Sequence, residues 1–232
     1  MSSLSAIIVA AGSSRRMGFD KLFAPLHGRL VVEHSIAAFE QSPEVGEIII
    51  VTRRDRIPVL KKVADDNGFH KVTKIIEGGA ERHLSVWHGL QNVSATANFV
   101  AVHDGARPLT TPKMIDECLA QARKEGAACC AAPVPDTVKR ASTDGIVSES
   151  VSREGLWAMQ TPQIFSTPLL VQAYGQVIAL HEPVTDEVSA VQHLGRKIAL
   201  YLNNDWNFKI TYPQDLVLAE QVLRLREKGS AK

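Results

Sequence analysis

The sequence predicts an α/β protein with a mainly parallel sheet covered by helices on both faces. Three observations carry that expectation. Short apolar, β-branched runs recur at 4–10 (LSAIIVA), 47–52 (EIIIVT), 71–77 (KVTKIIE), 98–104 (NFVAVHD) and 126–134 (GAACCAAPV). Several are apolar at nearly every position, as strands buried on both sides are. Amphipathic segments separate them, and strands that alternate with helices assemble as parallel units. One stretch, 135–153, breaks the rhythm: two alternating arms flank Asp144–Gly145, a strong hairpin turn signal.

Taken in order, the strand at 4–10 leads into a loop of small residues. Val32, Ile36 and Phe39 then keep one face of a helix that stops at the breakers Ser42–Pro43. The segments 55–66, 81–93 and 112–125 read as the helices between successive strands. After the hairpin come LWAMQTPQIF (156–165), a helix near 168–180, RKIALYLN (196–203) and a closing helix after Pro213. There is no internal repeat and no low-complexity segment. Residues 1–232 therefore read as one domain with a β-arm excursion at about 135–153. A lone two-stranded hairpin is marginal in water. The arm either rests on a second subunit or folds back on its own domain, and both remain open.

Composition narrows the function. A net charge of +1 over 232 residues excludes a general electrostatic binder of nucleic acid or membrane, so any basic site is local. Three cysteines, an odd number, argue against a disulfide framework. Cys129 and Cys130 sit in an apolar run, and Cys118 lies at helical spacing from Met114 and Ala122, so all three read as reduced core thiols rather than metal ligands. No apolar run reaches membrane-span length, and the first ten residues lack the pattern of a secretory signal. The expectation is a cytoplasmic protein.

The stretch AAGSSRRMGFDKL, Ala10 to Leu22, places Arg15, Arg16 and Lys21 on a short loop after a buried strand. Crowded cations repel unless an anion joins them. Ala10, Ala11 and Gly12 leave room for a base or sugar against the backbone, and backbone N–H groups with arginine forks suit a polyphosphate. The loop lacks G-x-G-x-x-G and G-x-x-x-x-G-K-[ST], which disfavours a dinucleotide oxidoreductase and a P-loop enzyme. A solvated surface loop is the plain alternative. Two further stretches share the C-terminal ends of strands, where open α/β sheets bind ligands. VHDGARP (102–108) supplies Asp104, readable also as a turn aspartate, and Arg107, readable also as a surface loop residue. EGGAERHLSV (77–86) supplies a Gly–Gly turn, Arg82 and Ser85 near a helix start, where anions are favoured and Ser85 also reads as a cap. His103 reads as packed rather than catalytic, Trp157 as packing, and Asp186 and Glu187 as helix-start residues.

Together AAGSSRRM…DK, EGGAERHLSVWHGL, VHDGARP, APVPDTVK, LWAMQTPQIF, TDE and NFKITYPQDLVLAE resemble the 2-C-methyl-D-erythritol 4-phosphate cytidylyltransferases of the non-mevalonate isoprenoid pathway, in order and over nearly the whole chain. The resemblance implies a Rossmann-like nucleotidyltransferase three-layer sandwich. It implies in-line transfer of a cytidylyl group from CTP to methylerythritol 4-phosphate with release of pyrophosphate, Mg²⁺ held mainly by the CTP phosphates, and a homodimer joined by protruding β-arms. It implies transition-state stabilisation by Arg16 and Lys21. Ala10, Ala11, Gly12, Gly79 and Ser85 fall on the nucleotide, with Asp104 near ribose and metal. Arg153, in SREGLW, and Lys209, in NFKIT, position the acceptor phosphate, joined by Thr137 on the arm and by Arg107, with Thr137 and Arg153 acting across the dimer. The chain departs at Asp20, where the family often has proline, at Ala80, where many members have an acidic residue, and at Trp206, just before NFK.

A phosphate monoester is already ionised near neutral pH and needs no strong general base, so the lack of a Ser–His or Cys–His pair fits this chemistry. A ribitol-5-phosphate cytidylyltransferase is the nearest alternative; RRM and RHLSVWHGL favour the methylerythritol enzymes. A uridylyl or guanylyl transferase on the same fold is more distant. A nucleotide-binding sensor or scaffold domain is the non-enzyme alternative, and the retention of Arg16, Lys21, Arg153 and Lys209 speaks against it.

Overall fold

The computed structural model describes residues 4–14 and 17–230. A seven-stranded sheet runs through it in the order β11-β7-β10-β6-β1-β4-β5. Its strands are β1 (Leu4–Ala10), β4 (Val45–Thr52), β5 (Val72–Glu77), β6 (Phe99–Asp104), β7 (Ala127–Pro133), β10 (Trp157–Ser166) and β11 (Ala199–Leu202). Two short strands, β2 (Pro25–Leu26) and β3 (Arg29–Leu30), form a separate ribbon, and β8 (Val138–Ala141) with β9 (Val147–Val151) forms the arm. The α-helices are α1 (Val31–Gln41), α2 (Ile57–Asn67), α3 (Arg82–Leu90), α4 (Pro112–Glu125), α5 (Thr167–Leu180), α6 (Glu187–Gln192) and α7 (Pro213–Ser230). The predicted α/β class is observed, with strands and helices within a few residues of the sequence reading.

Period-2 alternation divides the core. Leu4, Ala6, Ile8 and Ala10 of β1 face α1, α2 and α4, with Ile36, Phe39, Leu60, Ile115 and Leu119 against them. Ile7 faces the other way, into α3, α5 and α6, against Val86, Leu170, Tyr174 and Val191. Because both faces are covered, β1 from Ala6 to Ala10 and β4 from Ile48 to Val51 read as unbroken apolar runs. A third cluster lies beyond the sheet. Met17, Ala24, Leu26 and Val31 meet Leu109, Ile210, Ala219 and Val222, so α7 closes over the segment that follows β1.

Strands β4 and β6 flank β1 in parallel, and the chain crosses from one side of β1 to the other between β5 and β6. This reversal opens a crevice at the C-terminal ends of β1 and β6. Only β10 among the sheet strands runs antiparallel, wedged between β6 and β7. Its register against β7 is interrupted between Met159 and Gln163. Such an irregularity re-aims side chains, and here it turns the Thr161 hydroxyl beneath the end of β6.

The arm follows the sequence reading. Gly145 adopts the left-handed conformation (φ 79°) at the turn, and Arg140 pairs across the strands with Glu149 at 3.0 Å. Most arm residues are exposed, including Ile146 and Val147 at 68% and 61%.

Candidate active site

The crevice is a cavity of about 800 Å³ at the C-terminal edge of the sheet. Its first wall is the loop after β1: Ala10, Ala11, Gly12, Ser13 and Ser14 line it, as do Met17 and Lys21. Buried Arg56, just before α2, braces this loop. Its guanidinium donates to the carbonyls of Ala10 (2.6 Å) and Gly12 (3.0 Å) and meets the Asp20 carboxylate at 2.6 Å. Asp20 in turn accepts the backbone N–H of Leu22, capping the short helical turn Lys21–Phe23. Lys21 is thus held at the end of a strut, and its Nζ donates to the carbonyl of Ile210 at 2.6 Å.

The second wall is the turn between β5 and α3. Ser85 Oγ accepts the N–H of Gly79 (3.1 Å) and donates to the carbonyl of Glu81 (3.1 Å). Glu81, not Ser85, is the N-cap of α3. The turn is too tight for side chains. A Cβ at Gly79 would lie 2.4 Å from Leu84 Cβ, and one at Gly78 would lie 2.6 Å from Ser85 Oγ.

The floor is Asp104, the last residue of β6. Its backbone N–H donates to Thr161 Oγ1 (3.1 Å), which also contacts His103 Nδ1 (3.0 Å). One carboxylate oxygen accepts from Lys209 Nζ at 2.9 Å, and the other from Arg82 Nε at 3.3 Å. Burial alone would raise the pKa of Asp104, but Arg82, Lys209 and Arg107 overcome it and hold the carboxyl below the usual range. The pKa of fully buried His103 is also lowered, but by desolvation, which pushes it down to about 3, so it is neutral.

Lys209 reaches the floor because its loop is docked. Ile210 N–H donates to the carbonyl of Ala106 (2.8 Å), and Thr110 Oγ1 donates to Asn207 Oδ1 (2.8 Å). Lys21 and Lys209 therefore converge from opposite ends of the sequence on one cavity whose other side is a glycine turn. That arrangement suits a nucleoside triphosphate: small residues admit base and sugar, and cations face phosphate oxygens.

Comparisons with known proteins agree with this geometry. Residues 4–225 match the family model described as IspD: 2-C-methyl-D-erythritol 4-phosphate cytidylyltransferase. The chain belongs to this family. It is 38% identical to the 2-C-methyl-D-erythritol 4-phosphate cytidylyltransferase of Alkaliphilus oremlandii, over 99% of this chain and 98% of the relative. It is 39% identical to the enzyme of that name from Bacillus mycoides, over 96% and 98%. The crystal structure of 4-diphosphocytidyl-2C-methyl-D-erythritol synthase from Anaerococcus prevotii superposes with a TM-score of 0.83 at 29% identity, covering 95% of this chain and 96% of that one. The structure of the Thermus thermophilus cytidylyltransferase gives a TM-score of 0.79 at 32% identity, covering 94% and 98%.

Among the residues singled out in the sequence, Ala10, Ala11, Gly12, Lys21, Gly79, Ser85, Asp104 and Lys209 line the cavity of this cytidylyltransferase fold. Arg16 lies outside the described residues. Thr137 and Arg153 are exposed at the base of the arm, away from the cavity, where Arg153 donates to the carbonyl of Pro135. Arg107 is corrected twice. It is neither a surface loop residue nor part of the cavity lining. Its buried guanidinium donates to the carbonyls of Asn207 (2.8 Å) and Met159 (3.4 Å), which fixes the Lys209 loop. Arg56 escaped the sequence reading. Its signal was there: VTRRDR places three arginines directly after a strand, at the same sheet edge as the other loops. The departures also find places. Asp20 is the partner of Arg56, Ala80 lines the cavity, and Trp206 is half exposed, edge-on to Phe208.

Proposed function

We infer that this chain transfers the cytidylyl group of CTP to 2-C-methyl-D-erythritol 4-phosphate, giving CDP-methylerythritol and pyrophosphate for isoprenoid biosynthesis. The observation that carries the reading is the convergence of Lys21 and Lys209 on a cavity closed opposite by the Gly78–Gly79 turn, in a chain that belongs to the cytidylyltransferase family over its length. The acceptor phosphate oxygen attacks the α-phosphorus of CTP in line, and pyrophosphate leaves. The demand on the protein is to bring two polyanions together and to stabilise charge on the α-phosphate. Lys21, with Arg16, meets that charge. Ala10 to Gly12 and the Gly79–Ser85 turn take the nucleotide, and Lys209 takes the acceptor phosphate.

Mg²⁺ belongs to this reading. Among the described residues no cluster of three or more His, Cys, Asp or Glu side chains is built to hold a metal ion. Asp104 lines the cavity, but both of its carboxylate oxygens already accept from Lys209 and Arg82. Mg²⁺ favours phosphate and water oxygens, so the triphosphate would hold it. Bound there, it supplies charge neutralisation to the phosphoryl oxygens.

The reading includes a homodimer. Thr137 and Arg153 sit on an exposed arm with apolar Ile146 and Val147 near its tip. They would serve the cavity of a second copy. A sedimentation mass of two chains is expected, and a mass of one chain refutes the dimer. Mixing Arg153→Ala and Lys21→Ala chains should restore part of the activity that each lacks. Among the described residues no helix is long and apolar enough to cross a membrane, and Cys118, Cys129 and Cys130 are buried and free. Free thiols suit a reducing compartment, which supports placement in the cytoplasm.

The deciding experiment is pyrophosphate release with Mg²⁺ and CTP, comparing methylerythritol 4-phosphate with ribitol 5-phosphate. Release with the first acceptor alone is expected. Release with the second alone keeps the chemistry and overturns the acceptor, and release with neither overturns the reading.

A further inference from the structure

Glu187, the first residue of α6, is completely buried and does not line the cavity. Its carboxylate takes the fork of Arg82: Nη1 donates to Oε1 at 2.7 Å and Nη2 to Oε2 at 3.2 Å. Tyr174 of α5 donates to Oε1 at 2.9 Å. The start of α6 is itself pinned to β10, since Gln163 accepts from Val188 N (3.1 Å) and donates to Asp186 Oδ2 (3.0 Å). The carboxylate is therefore immobile.

A buried ion pair of this kind is weak as a stabilising device. Apolar side chains of similar volume do as well or better. What the pair achieves is direction. Two parallel hydrogen bonds fix the plane of the guanidinium, which leaves Arg82 Nε–H aimed at Asp104 Oδ1. Lys209 holds the other oxygen of Asp104, but its side chain is 35% exposed and its ammonium is a point charge, which sets direction less than a planar fork does. Charges alternate from the core to the cavity: Glu187, Arg82, Asp104, Lys209. Arg82 already lines the cavity, and without Glu187 it loses the partner that fixes its plane toward Asp104.

We propose that Glu187 is a positioning residue, which acts through Arg82 to set the orientation of the Asp104 carboxylate on the cavity floor. The inference rests on the cytidylyltransferase reading, with Asp104 on the nucleotide side. Glu187→Gln keeps shape and removes charge. The double variant Arg82→Met with Glu187→Leu replaces the pair by apolar side chains. The double variant is expected to fold with a thermal midpoint near or above that of the parent, whereas Glu187→Gln, which leaves Arg82 without its buried partner charge, should fold with a lowered midpoint. Both should lose about 10²-fold in kcat/KM for CTP, the scale of a misplacement of about 1 Å. The KM for the acceptor should move far less, and equilibrium binding of CTP with Mg²⁺ should weaken in parallel. The double variant should lose no more than Arg82→Met alone, because one function is removed once.

Parental constants in the folded double variant, additive losses, or equal weakening toward both substrates would overturn the proposal. Failure of both variants to fold would overturn it too, because the pair would then be structural. If the parent itself releases no pyrophosphate, the reading of the reaction fails separately. CTP binding by parent and variants, followed calorimetrically, still decides the role of Glu187.

Discussion

Arg56 and Asp20 form an ion pair of 2.6 Å that ties the start of α2 to the far end of the loop carrying Lys21. The same guanidinium holds Ala10 and Gly12 at the near end. One buried side chain therefore fixes both ends of the segment that lines the cavity. Burial lowers the pKa of Arg56, but a guanidinium stays charged at any physiological pH, so the tie is permanent. Asp20→Asn should lower kcat by about tenfold or more with little change in the KM for CTP, because misplacing a charged group costs rate steeply. Steady-state kinetics at matched thermal stability checks this, and parental constants would remove Asp20 from the account.

Lys21 and Lys209 should divide by kinetic parameter. Loss of one well-placed donor at developing charge costs about 10²–10³ in rate. Lys21→Ala should therefore fall mainly in kcat. Lys209→Ala should fall more in apparent affinity for the acceptor phosphate. The reverse pattern would exchange their roles.

Gly79→Ala places a methyl group 2.4 Å from Leu84 Cβ, so the turn must shift. Overpacking of this sort costs about 1–3 kcal/mol. The shift also breaks the Gly79–Ser85 hydrogen bond that shapes the nucleotide wall. A raised KM for CTP together with a lowered thermal midpoint is expected. An unchanged KM would place the nucleotide elsewhere.

Stability should depend on pH through His103. Desolvation lowers its pKa from 6.5 to about 3 in the folded chain. Between those values the unfolded state binds the extra proton and the folded state does not. The contribution is complete above pH 6.5 and is lost as pH falls toward 3, at up to about 1.4 kcal/mol per pH unit. Asp104, also lowered, acts in the same direction at the acid end. Denaturant titrations at pH 7 and pH 4.5 should show the loss, and His103→Asn should flatten it. Equal slopes would mean that His103 titrates normally.

The sheet strands were legible because a strand buried on both faces announces itself by an unbroken apolar run, as at Ile48–Val51. Asp104 and Gly79 were legible as places, since each lies in a short polar stretch after a strand or at a turn; Lys209 was reached only through the family resemblance of NFKIT. The positions that failed share one property. Arg56 and Arg107 are charged residues buried against partners remote in sequence, and on the page they look like solvated surface charges; Glu187 was legible as a helix start, but its pairing with Arg82 was not. Their meaning resides in the pairing, which no local pattern encodes. The antiparallel placement of β10 escaped for the same reason: its apolar run is visible, but its direction is set by β6 and β7 together.

The closure of α7 over Met17, Ala24, Leu26 and Val31 has a consequence for synthesis. In a chain made from its N-terminus, the loop carrying Lys21 emerges before α7. The carbonyl of Ile210 that receives Lys21 lies 189 residues later, and the apolar face of α7 that covers the loop follows it. A ribosome-bound fragment lacking α7 therefore presents the loop cations without their setting. The setting of the Lys21 loop is therefore completed only after α7 has been made.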